Sequence, residues 1–162
     1  MFFSMGDCNV GWVHNEDLNG TESLLTTWHK DMFQLDDKVM GKGFIALLDQ
    51  YIKSCFKCAL INVYATCNLN DKVDSMGGLM NIIKEHQNFA WCVCGDFNVV
   101  RHASERKGTK EKGGQKNEIT SFNNFIARNF LLEFSIVGMR FTWFKSNGTA
   151  KSRLDKVLVT EE

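Results

Sequence analysis

Apolar and polar positions alternate in short runs through the first third of the chain and recur at helical spacing further on. Residues 1–20 read as loop. Residues 23–28, Ser-Leu-Leu-Thr-Thr-Trp, are rich in strand formers, and residues 32–39 and 43–48 continue the pattern as two further short strands. Residues 56–65 are largely apolar with imperfect alternation, which predicts a central strand covered on both faces and ending near Tyr64. Between Asn70 and Gln87, the positions Val73, Met76, Met80 and Ile83 lie three or four apart and predict one face of a helix. Gly77 and Gly78 weaken it by about 1 kcal/mol each relative to alanine. An apolar strand over residues 89–94 follows. Asn117 is a candidate N-cap for a second helix with Ile119, Phe122, Ile126 and Phe130 on one face. Residues 141–144 then read as a strand, Asn147-Gly148 as a hairpin turn, and residues 153–159 as its return strand. Strands, helix, strand, helix and hairpin together predict an α/β (α+β) sandwich with helices outside the sheets.

Polar side chains with chemistry gather where these strands end: Tyr64, Asp96, Asn98 and Asp155. In Gly95-Asp96-Phe97-Asn98 the acid and the amide are two residues apart, and so on one side of an extended backbone. Two readings fit. In one, the polar groups bond their own turn; in the other, a carboxylate orients or deprotonates a water while a carboxamide donates to a phosphoryl oxygen. Asp155, in an otherwise apolar strand, is either exposed at an edge or held for a purpose. Residues 101–116 carry six basic side chains, Arg101, Arg106 and Lys107 among them, against the acids Glu105 and Glu111. That stretch predicts a mobile basic loop, either a contact for a phosphate backbone or an ordinary solvated loop.

Composition narrows the class. The chain has 162 residues and 44% hydrophobic content, enough for one domain with a core. Nineteen basic and nineteen acidic residues cancel, so any nucleic-acid surface must be local. There is no internal repeat. Residues 1–13 hold no apolar run of signal-peptide length and nothing approaches a membrane span, so the chain reads as intracellular with six thiols. Cys55 and Cys58 have CxxC spacing and Cys92 and Cys94 CxC spacing; a four-thiolate zinc site competes with core packing of the second pair. The sequons at Asn19 and Asn147 read as turns. Proline is absent, against about eight expected from average usage.

Asn62-Val63-Tyr64-Ala65, Gly95-Asp96-Phe97-Asn98, Phe141-Thr142-Trp143 and Arg153-Leu154-Asp155 occur in the order and at about the spacing of the endonuclease/exonuclease/phosphatase superfamily. The chain resembles most closely the endonuclease domain of plant non-LTR (LINE-type) retrotransposons, with Glu105-Arg106-Lys107-Gly108 and Ser146-Asn147-Gly148-Thr149-Ala150 fitting that branch. The resemblance runs from about Val10 onward. It implies a four-layered α/β sandwich, two β-sheets flanked by helices, that hydrolyses phosphodiesters of DNA with Mg²⁺ or Mn²⁺. On that analogy Asp96 activates the attacking water, and Asn98 holds the scissile phosphate and the geometry of Asp96. Tyr64 offers its hydroxyl to the phosphate or leaving group, and Asp155 orients a catalytic histidine. Trp143 is structural or lies near the substrate surface, beside Arg101, Arg106 and Lys107.

Departures from the pattern matter as much. The superfamily's metal-holding asparagine and glutamate strands are not visible, Glu16 and Glu22 standing too late and in the wrong context. The histidine that Asp155 would orient has no counterpart, since His14, His29, His86 and His102 lack the motif. Thr66 and Ser135 stand where proline is usual, which accounts for part of the missing proline. The resemblance therefore implies an incomplete, single partial domain, truncated at both ends, whose nuclease chemistry is impaired. Its metal ligands are unknown, or come from a longer product or a partner chain. The alternative is a non-catalytic remnant that at most binds nucleic acid. A small-molecule or lipid phosphatase is disfavoured by the retrotransposon-like stretches. A nuclease of this kind is expected in the nucleus.

Overall fold

The computed structural model describes residues 9–16, 23–51, 56–108, 114–134 and 137–161. Strands β1 (Val10–Glu16) and β2 (Ser23–His29) pair antiparallel as a sheet of their own. Residues 10–16, expected as loop, are therefore strand. Their alternation is too short to stand out, and a long-range contact supplies the reason, since Val13 packs on Ile45 and Leu47. Strands β3 (Phe33–Gly41), β4 (Phe44–Tyr51) and β5 (Phe56–Tyr64) form the expected run of short antiparallel strands. Helix α1 (Leu69–Glu85) then crosses over to β6 (Ala90–Asp96), which lies parallel to β5, as a parallel pair requires.

Beyond β6 come a 3₁₀ turn (Ala103–Glu105), β7 (Arg106–Lys107), α2 (Gln115–Arg128) and β8 (Leu131–Phe134), then β9 (Trp143–Phe144), β10 (Lys151–Ser152) and β11 (Asp155–Thr160). Six strands make the main sheet, in the order β3-β4-β5-β6-β11-β8, and β7-β10-β9 make a small third sheet. The fold is the expected mixed α/β sandwich. One face of the main sheet meets α1 and α2 in a core that includes Ile61, Val63, Trp91, Val93, Leu79, Phe122 and Leu158. Part of the other face packs on β1 and β2 through Ile45, Leu47, Leu24 and Trp28. Among the described residues no helix is long and apolar enough to cross a membrane.

Several local expectations change. On α1, Met76, Met80 and Ile83 do pack inward, but Val73 is 59% exposed and the inner face holds Lys72 and Ser75 with Leu79 and Ile82. A lysine can sit there because it finds partners, described below. On α2 the N-cap is Gly114, at φ 99, whose carbonyl accepts from the N–H groups of Asn117 and Glu118; Asn117 lies inside the helix. Phe130 falls beyond the helix and is 82% exposed. The return strand of the hairpin is the short β10, and the 155–160 segment instead enters the main sheet between β6 and β8. Asp155 is therefore not on an edge strand. Strand β8 has no counterpart in the periodicity. The basic stretch contains the 3₁₀ turn, β7 and the start of α2 rather than a single loop, and its residues 109–113 lie outside the described residues, as do Cys55 and the sequon at Asn19. The sequon at Asn147 is a turn, with Asn147 Oδ1 accepting from the Thr149 N–H and hydroxyl at 3.2 and 2.6 Å.

Candidate active site

Alternation along β6 sends Trp91 and Val93 into the core and brings the strand to its end at Asp96. Gly95 is needed there. Its φ is 135, and a Cβ would lie 2.0 Å from the Val63 carbonyl oxygen, so only glycine lets β5 and β6 approach this closely at the site. Register then gathers the chemistry. Tyr64 is the partner of Asp96 across the parallel pair, and Asp155 is its partner across the antiparallel pair. Three predicted site residues thus stand side by side on β5, β6 and β11, at a spacing of about 5 Å between neighbouring strands.

The turn after β6 fixes the acid. Asn98, a non-glycine residue at φ 48, donates its N–H to Asp96 Oδ1 at 2.8 Å and its side-chain amide to the Ala65 carbonyl at 2.5 Å. The turn reading of Gly95-Asp96-Phe97-Asn98 is thereby realised. The carboxylate caps its own turn through one oxygen, Oδ1, and the turn does not use the second. Asn98 keeps one amide N–H beyond the bond to Ala65. Burial pushes the Asp96 carboxyl above its ordinary value, and the Asp155 charge adds to this; the Asn98 N–H and the Lys72 ammonium pull the other way. Tyr64 is 39% exposed.

Sequence reasoning missed the residues that brace this arrangement. Lys72, 4% exposed, donates to the Asn98 carbonyl at 3.0 Å and to Glu118 Oε2 at 3.2 Å, tying α1, α2 and the Asp96 turn together. A signal existed, for Lys72 is four and seven positions ahead of Met76 and Leu79 on one helix face. Thr142 accepts from the N–H groups of Leu154 and Asp155 at 3.0 and 3.1 Å, setting the start of β11. No local pattern announces that bond. Glu105 has a structural part: its carboxylate accepts from the Arg101 N–H at 2.8 Å and from the fully buried Lys156 at 3.0 Å.

The basic candidates divide. Arg101 is committed to Asn123 and Glu133, each at 3.0 Å. Arg106 and Lys107 lie on β7, in the same small sheet as Trp143: the register rows are Arg106, Ser152 and Trp143, then Lys107, Lys151 and Phe144. Trp143 and Phe144 are 41% and 47% exposed. This sheet adjoins the Asp96–Asp155 end of the main sheet through Thr142, and alternation puts Trp143 and Arg106 on one of its faces and Phe144 with Lys107 and Lys151 on the other.

A divalent cation fits these residues poorly. Asp96 and Asp155 are the carboxylates at hand, and among the described residues no three His, Cys, Asp or Glu side chains converge as metal ligands. A hard cation takes six or more oxygens. Nor does a histidine contact Asp155 among the described residues: His29 lies by Asp31, His86 against Phe89 and His14 against Trp12.

Solved structures share this mixed α/β arrangement, in which the central sheet of this chain sets an acid, an amide, a tyrosine and a second acid at one end. An endonuclease/exonuclease/phosphatase protein from Bacteroides vulgatus superposes with a TM-score of 0.65 at 12% identity, over 94% of this chain and 65% of its own. A mannosyl-6-phosphatase of Bacteroides thetaiotaomicron gives 0.64 at 16% identity, over 96% of this chain and 64% of its own. The endonuclease domain of TRAS1, a telomere-specific non-LTR retrotransposon, gives 0.62 at 12% identity, over 94% of this chain and 68% of its own. The chain thus has the endonuclease/exonuclease/phosphatase fold and spans 64% of the length of the mannosyl-6-phosphatase. No family model and no curated protein matches the sequence.

Proposed function

We propose that the chain descends from, and retains the core of, a retrotransposon-type endonuclease that nicks DNA by phosphodiester hydrolysis. The observation that carries this reading is the side-by-side register of Tyr64, Asp96 and Asp155 next to an aromatic and basic sheet. The free oxygen of Asp96 takes a proton from the attacking water, and the remaining Asn98 amide N–H and the Tyr64 hydroxyl donate to phosphoryl oxygens as charge builds there. Trp143 stacks on a base while Arg106, in the same register row, meets a flanking phosphate, and Lys107, on the other face, adds to the local positive field. Mg²⁺ or Mn²⁺ stays in the proposal only as an added ion, for which Asp96 and Asp155 would be the carboxylates at hand; the nucleus is the matching compartment.

A second reading has its own support. Among the described residues, Asp155 has no histidine partner and no third acid joins the site. On that ground the chain by itself is a weak or silent catalyst that binds nucleic acid. Supercoiled plasmid incubated with the purified chain and Mg²⁺ or Mn²⁺ separates the two. Nicking that Asp96→Ala and a chelator both abolish supports the nuclease. Intact plasmid, with a mobility shift that Trp143→Ala weakens, supports the binding remnant. Neither nicking nor a shift sinks both.

A further inference from the structure

The strands that end at Tyr64 and Asp96 begin, at the other end of the sheet, beside a cavity of about 690 Å³. That size suits a small organic ligand. Its wall is formed by Met80, Phe89, Trp91, Phe130, Lys84 and Arg128 among others. Three features of this wall bear on what it could hold. Trp91 is 3% exposed, yet its indole N–H is buried without a hydrogen-bond partner. An indole nitrogen only donates, so what it lacks is an acceptor, and a buried donor left open calls for water or a ligand. Phe130 follows the C-cap of α2 at φ 52, the left-handed conformation that commonly ends a helix, with its N–H on the Ala127 carbonyl, and this leaves its ring 82% exposed at the cavity instead of in the core. The charged groups at the cavity are Lys84, Arg128 and Glu161, and Lys57 stands over the Phe89 ring at 5.8 Å, so cations outnumber acids.

We propose that this cavity is a second ligand site, separate from the Asp96 end of the sheet, that takes a planar apolar molecule bearing one anionic oxygen group, such as an aromatic carboxylate or sulfonate. The rings of Phe89 and Phe130 and the side chains of Met80 and Ile83 cover its body. Lys84 and Arg128 draw the charge, and a small turn of the Trp91 ring, whose indole nitrogen is fully covered in this structure, brings its N–H to an acceptor oxygen.

The probe is 8-anilinonaphthalene-1-sulfonate, titrated by fluorescence into the folded chain, with nitrogen-15 spectra of the four tryptophan indoles. One saturable site is expected, with a single indole N–H resonance moving, and that resonance is absent in Trp91→Phe. The Lys84→Gln/Arg128→Gln double variant should bind about tenfold more weakly, as should the parent chain in high salt, whereas Asp96→Ala binds unchanged. Non-saturating binding, shifts spread over several indoles, or an unchanged affinity in the double variant would overturn the proposal. If Trp91→Phe does not fold, the double variant and the indole spectrum of the parent chain still decide.

Discussion

Asp96 is pulled in two directions. Burial and the charge of Asp155 favour its protonated form, while the Asn98 N–H and Lys72 favour the carboxylate. A carboxylate serves as a base only when ionised, so any hydrolysis that depends on Asp96 should rise with pH through a midpoint above the ordinary aspartate value. Asp155→Asn removes the like charge and should move that midpoint down, whereas Lys72→Met should move it up; the pH profile of kcat/KM reads both shifts. The sign for stability is the reverse of the usual acid. A folded-state pKa above the unfolded one means that ionising Asp96 costs stability, so Asp96→Asn should raise Tm at neutral pH even as it lowers activity by about 10²-fold or more. Thr142→Val, in turn, leaves two backbone donors at the start of β11 without their acceptor and should cost about 1–2 kcal/mol in urea unfolding. Much at this scale was legible. Tyr64, Asp96, Asn98 and Asp155 announced themselves as polar groups at the ends of apolar strands, because a strand's period tells where it must stop. Thr142 did not, since its side chain bonds a backbone segment from the far side of a turn, and such a bond leaves no periodic trace.

Among elements, the connection from β6 to β7 is held to β8 and β11 by a compact set of charges. Glu105 and Glu133 face Lys156, Arg153 and Arg101; Arg153 meets Glu133 at 2.9 Å and Glu105 at 3.8 Å. Burial pushes the Glu105 carboxyl up, but the hydrogen bonds from Lys156 and the Arg101 N–H and the charges of Lys156 and Arg153 outweigh it, leaving a net lowering. Glu105 therefore stabilises the fold above the ordinary carboxylate range, and the contribution is lost as acid carries the pH down through its folded value. Glu105→Gln should destabilise by about 3 kcal/mol at pH 7, because a buried ammonium is left with the more distant Glu133, and the gap to the parent chain should close at low pH. Adding Lys156→Met to Glu105→Gln should recover most of the loss, as thermal unfolding of the pair would show. The same elements explain where sequence reading fell short. Strand β8 has four residues, Leu-Leu-Glu-Phe, with Leu132 and Phe134 exposed and Glu133 turned to the charges; its existence rests on β11 beside it. The 155–160 segment looked like a hairpin partner because it followed an Asn-Gly turn, yet β10 is enough to close that hairpin and β11 has a better partner in β6.

In the molecule as a whole, the layer order was legible because helix and strand periods differ and the strands came in a short-linked run. The placement of charge was not, since Lys72 and Lys156 are buried only by virtue of partners distant in sequence. Gly95 is where the layers are least forgiving. Gly95→Ala would drive a Cβ into the Val63 carbonyl at an unfavourable φ, and should cost about 4 kcal/mol or more, or prevent folding. Equilibrium denaturation, or recovery of soluble protein, measures it.

The strand order also carries a consequence in time. Strands β3, β4 and β5 join through neighbours in sequence, whereas β6 reaches β5 across a helix and β11 reaches β6 across another helix, β8 and a hairpin. Contacts between distant segments form slowly, since a long loop must close first. The row of Tyr64, Asp96 and Asp155 is made entirely of those late pairings. On dilution from denaturant, hydrogen exchange should find β4 protected before the Asp96 end of β6 is in place, so that a chain can look largely folded while the row is still unassembled.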